Sequence, residues 1–478
     1  MHQTLQDTGI ATPPREVVEL VVAARNAQSI YEQFTQEQVD EVVTAAAWAL
    51  VNRHNNRLLA ELTAEETGLG NAEDKFDKNW RKTMGLLRDL SGVLSVGVIA
   101  ENPEKGIIEI ARPVGLIAAV IPSTSPVAAT ANLVINALKG RNAIIISASP
   151  TARNACARLV EFVQREMLRV GAPSDLIQCL STVSKEATHD LMREVDLIVV
   201  SGSPSNIRAA HASGTPTISF GVGNVPVIVD ASANIDDAAA DIARSKSYDN
   251  ATGCASENSV VIEDAVYDMA LKALSTYGGM LLNQNQKQRL QEVMWVNGKL
   301  NRSVIARPAS EICSLAGIAP SSSIRIRFLM VEEGGIGEGF PFSDEKLSPV
   351  LAVYRAMNWE HALDVTAGLL RYKGAGHSIG LYTKDQEHVY RAGLELPTAR
   401  VIVNQPNILA TGGGFDNWMP FTLSIGCGTW GRNGSSNNLT YRDFLNITRI
   451  SQRVHRKKPT EEELFGGYWR KFGLNPSA

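Results

Sequence analysis

Gly115-Leu-Ile-Ala-Ala-Val-Ile121 is an unbroken apolar run, followed by a helical pattern over Pro126–Leu138 and a second apolar run, Ala143-Ile-Ile-Ile-Ser147. A strand that buries both faces carries no polar alternation, and two such strands joined by a helix form a βαβ unit. The pattern continues outward. Leu176–Leu180, Asp196–Ser201 and Val225–Asp230 read as further strands, and Thr151–Val170, Lys185–Arg193 and Pro204–Ala212 as the helices between them. The fold class is therefore α/β, with a parallel sheet covered on both sides.

Upstream, the first ninety residues read as helical. Thr35 and Gln38 form a capping-box pattern ahead of Val39, Val42, Val43, Ala46 and Leu50 at helical spacing. A second helix carries Leu58, Leu59 and Leu62 and stops at Thr67-Gly-Leu-Gly70. Downstream, another α/β series runs from about residue 255 to 430, with strands at Asn258–Glu263 and Val401–Asn404 and a helix at Ala265–Leu274. Leu439–Arg449 alternates like a strand, and the charged tail after Arg453 reads as a surface extension.

Composition narrows the function. The 478 residues are 44% apolar and 20% charged, with a formal net charge of -4, which argues against nucleic-acid and anionic-membrane partners. The start shows no apolar signal segment, and the apolar runs are too short to span a bilayer, so a cytoplasmic protein is expected. Five cysteines, Cys156, Cys179, Cys254, Cys313 and Cys427, are widely spaced and odd in number. Neither a disulfide framework nor a metal site is expected, and at most one or two of these thiols should be reactive. Of the eight histidines, His2, His54 and His455 read as surface residues.

Asp249-Asn-Ala-Thr-Gly-Cys-Ala-Ser-Glu-Asn258 sets Cys254 among small residues just before an apolar strand. Small neighbours leave the sulfur approachable and let backbone N–H groups face a developing oxyanion. Without further context, a packed core thiol is the commoner role for a free cysteine.

The wider chain supplies that context. Arg112-Pro-Val-Gly-Leu-Ile-Ala-Ala-Val-Ile-Pro122, Pro122-Ser-Thr-Ser-Pro126, Val200-Ser-Gly-Ser-Pro204, Cys254 and Glu345-Lys-Leu-Ser-Pro349 follow one another in the order found in aldehyde dehydrogenases, and the chain resembles that superfamily. Phe220-Gly-Val-Gly-Asn-Val-Pro226, Cys254-Ala-Ser-Glu-Asn258, Gly376-His-Ser378 and Gly426-Cys-Gly-Thr-Trp430 are similar to its CoA-acylating branch. Hydrolytic relatives carry a water-activating glutamate where this chain has Phe220, next to Gly221 and Val222. None of these three can abstract a proton, whereas the thiol of CoA needs less activation than water.

The resemblance implies a mechanism and a set of residues. Cys254 adds to a small aldehyde, a hydride passes to NAD or NADP, and CoA takes the acyl group from the sulfur. Thr124 or Ser125 would assist the Cys254 N–H at the oxyanion, or one of them would merely cap the following helix. His377 would take the CoA thiol proton or fix a loop. The cofactor is expected against Ile121 and Pro122, Ser147, Ser149 and Pro150, Gly202 and Ser203, Gly221, Val222 and Gly223, and Glu345 with Leu347. The GxGxxG fingerprint is missing, as it is in aldehyde dehydrogenases generally. Ser147, Ser149 and Pro150 replace the usual ribose contacts, which leaves NAD against NADP open.

The aldehyde is expected to meet Asn132 and Asn136, the Cys254 loop, and the segment 407–414. Arg432 stands where glycine is more usual and could hold an anionic substrate such as sulfoacetaldehyde or succinic semialdehyde; a surface arginine is the plainer role. The C-terminal 438–449 segment resembles acylating sulfoacetaldehyde dehydrogenases; acetaldehyde is the other candidate substrate. The expected organisation is the aldehyde dehydrogenase fold: a Rossmann-like cofactor lobe (1–232), a catalytic α/β lobe (233–432) and a C-terminal return (433–478). A hairpin at 95–112 and the final strand would form an oligomerisation flap, hence a homodimer or homotetramer. Two alternatives stay open: a hydrolytic enzyme releasing a free acid, and a silent scaffold member of the family.

Overall fold

The computed structural model describes residues 15–182, 184–319 and 325–474; His2 lies outside them. Four helices come first: α1 (Arg15–Tyr31), α2 (Gln36–Val51), α3 (Arg53–Thr67) and α4 (Ala72–Leu90). The Thr35–Gln38 capping box forms at α2 as the sequence suggests, and α3 ends on left-handed Gly68. Asn71 caps α4 by accepting from the Asp74 N–H. A hairpin of β1 (Gly97–Asn102) and β2 (Ile107–Pro113) follows.

The first sheet is built from β3 (Leu116–Ile121), α5 (Pro126–Lys139), β4 (Ala143–Ala148), α6 (Arg153–Arg169), β5 (Ile177–Cys179), α7 (Lys185–Glu194), β6 (Leu197–Val200), α8 (Pro204–Ala212) and β7 (Thr217–Ser219). Its five strands are parallel in the order β5-β4-β3-β6-β7. Every residue of β3 and β4 is buried, which accounts for their unbroken apolar runs. The chain leaves β3 for β4 on one side and later returns to β6 on the other, so the ends of β3 and β6 open a crevice at a topological switch point.

The second sheet takes β8 (Val225–Val229), α9 (Ile235–Ser247), β9 (Glu257–Glu263), α10 (Tyr267–Thr276), β10 (Gly279–Leu281) and α11 (Gln284–Met294). A small ribbon of β11 (Trp295–Val296) and β12 (Lys299–Leu300) follows, then α12 (Ala309–Leu315), β13 (Phe328–Glu332), β14 (Val350–Ala356), α13 (Trp359–Tyr372), β15 (Ile379–Tyr382), α14 (Gln386–Glu395), β16 (Val401–Val403) and α15 (Asn407–Ala410). Seven parallel strands run β10-β13-β14-β9-β8-β15-β16. Here the sequence reading needs a correction. It grouped Val225–Asp230 with the first unit, but β8 pairs with β9 and β15. The first sheet ends instead at β7, whose three residues are too few to show in an apolar pattern.

The chain returns through β17 (Leu445–Ser451), antiparallel to β2, giving the three-stranded sheet β1-β2-β17. The strand starts later than residue 439 because Tyr441–Phe444 forms a 3₁₀ turn capped by Thr440 and Asp443. The tail is not simply an extension: α16 (Glu461–Phe472) is a helix with its own Thr460–Glu463 capping box. Among the described residues no helix is long and apolar enough to cross a membrane.

Candidate active site

Cys254 lies in the loop between α9 and β9, and this loop closes over the switch-point crevice of the first sheet. The resulting cavity of about 290 Å³ takes Ile121 and Pro122 from the end of β3, Ser201 and Gly202 from the end of β6, and Phe220, Gly221, Val222 and Gly223 ahead of β8. Thr124, Ser125, Glu345, Leu347 and His377 complete the expected part of the wall. The approach is close: a Cβ on Gly223 would stand 2.2 Å from the Cys254 carbonyl oxygen, so only glycine fits.

The backbone leading to the cysteine is strained. Asp249, Asn250 and Ala251 all have positive φ, at 48°, 50° and 59°. Such residues cost of order 1–3 kcal/mol each and need their surroundings to hold them. Asp249 supplies the hold. Fully buried, it pairs with Lys78 at 2.6 Å and Lys75 at 3.1 Å, both on α4, and it accepts from Thr252 Oγ1 at 2.7 Å. Burial alone would push its carboxyl up, but Lys78 and Lys75 outweigh that and hold it below its usual range.

The cysteine sulfur faces His377 Nε2 at 3.2 Å, and His377 Nδ1 meets Ser378 Oγ at 3.0 Å. Gly376 must be glycine here, since its φ is 81° and a Cβ would overlap the Cys427 carbonyl oxygen at 1.7 Å. Asn407 buttresses this pair. Its Nδ2 donates one hydrogen to the Ala255 carbonyl at 2.8 Å and the other to Ser378 Oγ at 3.2 Å. Ser378 Oγ, accepting from Asn407, keeps its own hydrogen free for His377 Nδ1, an arrangement that would put the ring proton on Nε2 facing the sulfur. Burial, with Arg400 adding to it, lowers the imidazole pKa to about 3. Burial, reinforced by Glu345, pushes the Cys254 thiol up to about 12. Glu345 itself is raised to about 8, again by burial first. In the resting site the thiol, the imidazole and the carboxyl are therefore all predominantly neutral near pH 7. A charge that arrives there is felt strongly, because little water screens it.

Several expected residues lie elsewhere. Asn132 is buried, donating to the Phe421 carbonyl and accepting from Thr422 Oγ1, and Asn136 donates back to the Asn132 carbonyl. The turn of α5 that reaches the cavity presents Ala129 and Leu133 instead. Arg432 is exposed and outside the cavity; its left-handed backbone (φ 58°) ends the 3₁₀ turn Thr429–Gly431. Ser147 is buried against Thr188 Oγ1 at 2.8 Å. Ser149 and Pro150 follow β4 one strand over from the cavity, and Ser203 caps α8 through the Asn206 N–H. Ser125 starts α5 without capping it; its hydroxyl instead accepts from Lys78 Nζ at 3.1 Å. Of the five cysteines only Cys254 lines the cavity; Cys156, Cys313 and Cys427 are buried and Cys179 half-buried.

The residues the sequence reading missed are cationic. Lys78, Arg81 and Lys82 of α4 line the cavity, where Glu345 is the one carboxyl. Their spacing, with Lys75, is i, i+3, i+6, i+7, one face of a helix, but it is filled by charged residues, so it reads as a solvated stripe.

The matches to known proteins agree with this geometry. The model of the Aldehyde dehydrogenase family matches residues 4–288. An acylating sulfoacetaldehyde dehydrogenase of Cupriavidus necator is 51% identical over 460 residues, 96% of this chain and 93% of that one. An acetylating succinate-semialdehyde dehydrogenase of Clostridium kluyveri is 34% identical over 94% of this chain and 99% of its own. The crystal structure of an acetylating aldehyde dehydrogenase from Geobacillus thermoglucosidasius superposes with a TM-score of 0.89 at 34% identity, over 93% of this chain and 98% of that one. The chain belongs to the aldehyde dehydrogenase family, in its CoA-acylating branch.

Proposed function

We propose that the chain converts sulfoacetaldehyde, NAD(P)+ and CoA to sulfoacetyl-CoA and NAD(P)H, with Cys254 as nucleophile. The observation that carries the choice of substrate is the cationic wall of Lys78, Arg81 and Lys82 in the cavity that holds Cys254. The 51% identity to an acylating sulfoacetaldehyde dehydrogenase supports the same choice.

The crevice at the ends of β3 and β6 suits a dinucleotide, with Gly202, Gly221, Val222 and Glu345 in its wall. NAD(P)+ would supply the hydride acceptor and a positive charge in this crevice. That charge favours the thiolate, which burial otherwise opposes. The Cys254 sulfur would add to the aldehyde carbon, with His377 Nε2 beside the reacting centre. Thr124, which lines the same wall, is the candidate oxyanion donor beside the Cys254 N–H. Loss of hydride leaves an acyl thioester on Cys254. Phe220, Gly221 and Val222 offer water no base, so the thioester persists until the CoA thiol attacks it and releases Cys254. The three-stranded sheet β1-β2-β17 would join protomers into a homodimer or homotetramer.

The test follows NAD(P)H absorbance with sulfoacetaldehyde and each cofactor, with and without CoA. Steady turnover only with CoA, lost in Cys254→Ala, is the expected result. Steady turnover without CoA would mean that water is activated by another group and the acylating route is wrong.

A further inference from the structure

The four cations of the inner face of α4 are not equivalent. Lys75 and Lys78 share the single carboxylate of Asp249, and Lys78 also donates to Ser125. This pair has a structural task, the bracing of the strained loop before Cys254. Arg81 and Lys82 have no such partner. Lys82 is buried and donates only to the Gly412 carbonyl. Arg81 donates through Nη1 to the Leu409 and Gly413 carbonyls, its buried Nε has no hydrogen-bond partner, and its nearest carboxylate, Asp77, lies 4.0 Å away and is half exposed. Carbonyl dipoles satisfy N–H groups but do not neutralise charge. The wall near Cys254 thus holds two basic side chains with no buried counter-ion.

We infer that Arg81 and Lys82 form the subsite for the anionic group of the substrate, a sulfonate on the carbon next to the reacting carbonyl, with the Arg81 guanidinium and the Lys82 ammonium as donors. The inference rests on the proposed acylating reaction. A guanidinium edge beside an ammonium offers several donors to a tetrahedral trioxyanion. Burial, with Arg81 and Lys78 adding to it, drives the Lys82 pKa well down in the empty site. An arriving anion supplies the charge that keeps Lys82 protonated, so a neutral aldehyde of the same size gains nothing from it. Selectivity follows from this difference rather than from shape.

The experiment compares Lys82→Met, Arg81→Met and the charge-retaining Lys82→Arg with the wild type. It measures kcat/KM for sulfoacetaldehyde, succinic semialdehyde and propionaldehyde, and inhibition by ethanesulfonate. The expected result for either Met variant is a loss of about 100-fold on sulfoacetaldehyde, the scale of one or two charge-assisted hydrogen bonds, with a loss on propionaldehyde at least about ten times smaller. Ethanesulfonate inhibition should weaken in parallel, and Lys82→Arg should restore part of both. Equal losses on charged and neutral aldehydes, with ethanesulfonate inhibition intact, would overturn the subsite. Should Lys82→Met not fold, Arg81→Met and Lys82→Arg carry the same comparison. A wild type that prefers propionaldehyde refutes the proposed substrate itself. A wild type that prefers succinic semialdehyde, with that preference lost in the Met variants, refutes the sulfonate but upholds the anion subsite.

Discussion

Cys254 and His377 stand 3.2 Å apart, yet their surroundings disfavour the thiolate–imidazolium pair that such closeness suggests. With the thiol near 12 and the imidazole near 3, both groups are neutral over the whole physiological range. Alkylation of the cofactor-free enzyme by iodoacetamide should therefore be slow at pH 7 and keep rising beyond pH 9, with no inflection at 6–7. Mass-spectrometric rates at Cys254 check this; a plateau below pH 8 would refute it. A second prediction concerns Ser378. Its hydroxyl orients the His377 ring through Nδ1, so Ser378→Ala should slow acyl transfer to CoA by roughly 10–100-fold, as loss of an orienting hydrogen bond does, and Ser378→Thr should recover most of it. Single-turnover transfer from acylated enzyme is the readout, since a purely structural role for Ser378 would not be rescued selectively in that step. At this scale the sequence was informative where chemistry sits in a contiguous motif: Cys254, His377 and Glu345 all line the cavity. It failed where direction decides. Arg432 is close to Trp430 in sequence, but its left-handed backbone leaves it exposed, and Asn132 and Asn136 lie on the right helix but one face away.

Helix α4 shows what sequence periodicity conceals. Its inner positions Lys75, Lys78, Asn79, Lys82 and Thr83 are all buried although none is apolar. A pattern reader that equates charge with solvent puts that face outside. The strands were easier, because a fully buried parallel strand can only be an apolar run, as β3 and β4 are. Which sheet a strand joins is another matter: β8 looks like its predecessors and pairs with β9 and β15. The coupling of α4 to the Cys254 loop gives a stability prediction. Asp249→Asn leaves Lys75 and Lys78 without a counter-charge and the positive-φ turn without its brace, so it should lower stability by about 3–5 kcal/mol, read by denaturant unfolding. The sign with pH follows from the depressed carboxyl pKa: the stabilisation is present above the unfolded value near 4 and disappears as pH falls through the lower folded value. The wild-type and variant curves should converge on acidification below about pH 4. A variant as stable as the wild type at pH 7 would remove Asp249 from its bracing role.

At the scale of the whole molecule, the sheet β1-β2-β17 is poorly accounted for by a single protomer. It joins residues 97–113 to 445–451, almost the length of the chain apart, yet its surface is largely open. Val98 is 44% exposed and Ile450 42%, and both outer strands, β1 and β17, present unpaired edges. A sheet of this kind has little to hold it alone and invites pairing with another chain. If it is the oligomer contact, the energetic weight falls on its few apolar side chains and the edge hydrogen bonds, since the charged pair Arg449–Glu109 lies exposed and contributes little. Val98→Lys with Ile450→Lys should then lower the solution mass measured by light scattering at micromolar concentration. The cavity would be affected only indirectly, because none of its lining residues comes from this sheet. A double variant that keeps the wild-type mass would place the oligomer contact elsewhere. The exposed apolar face of α16, with Leu464, Phe465, Tyr468 and Phe472, would then be the next surface to substitute.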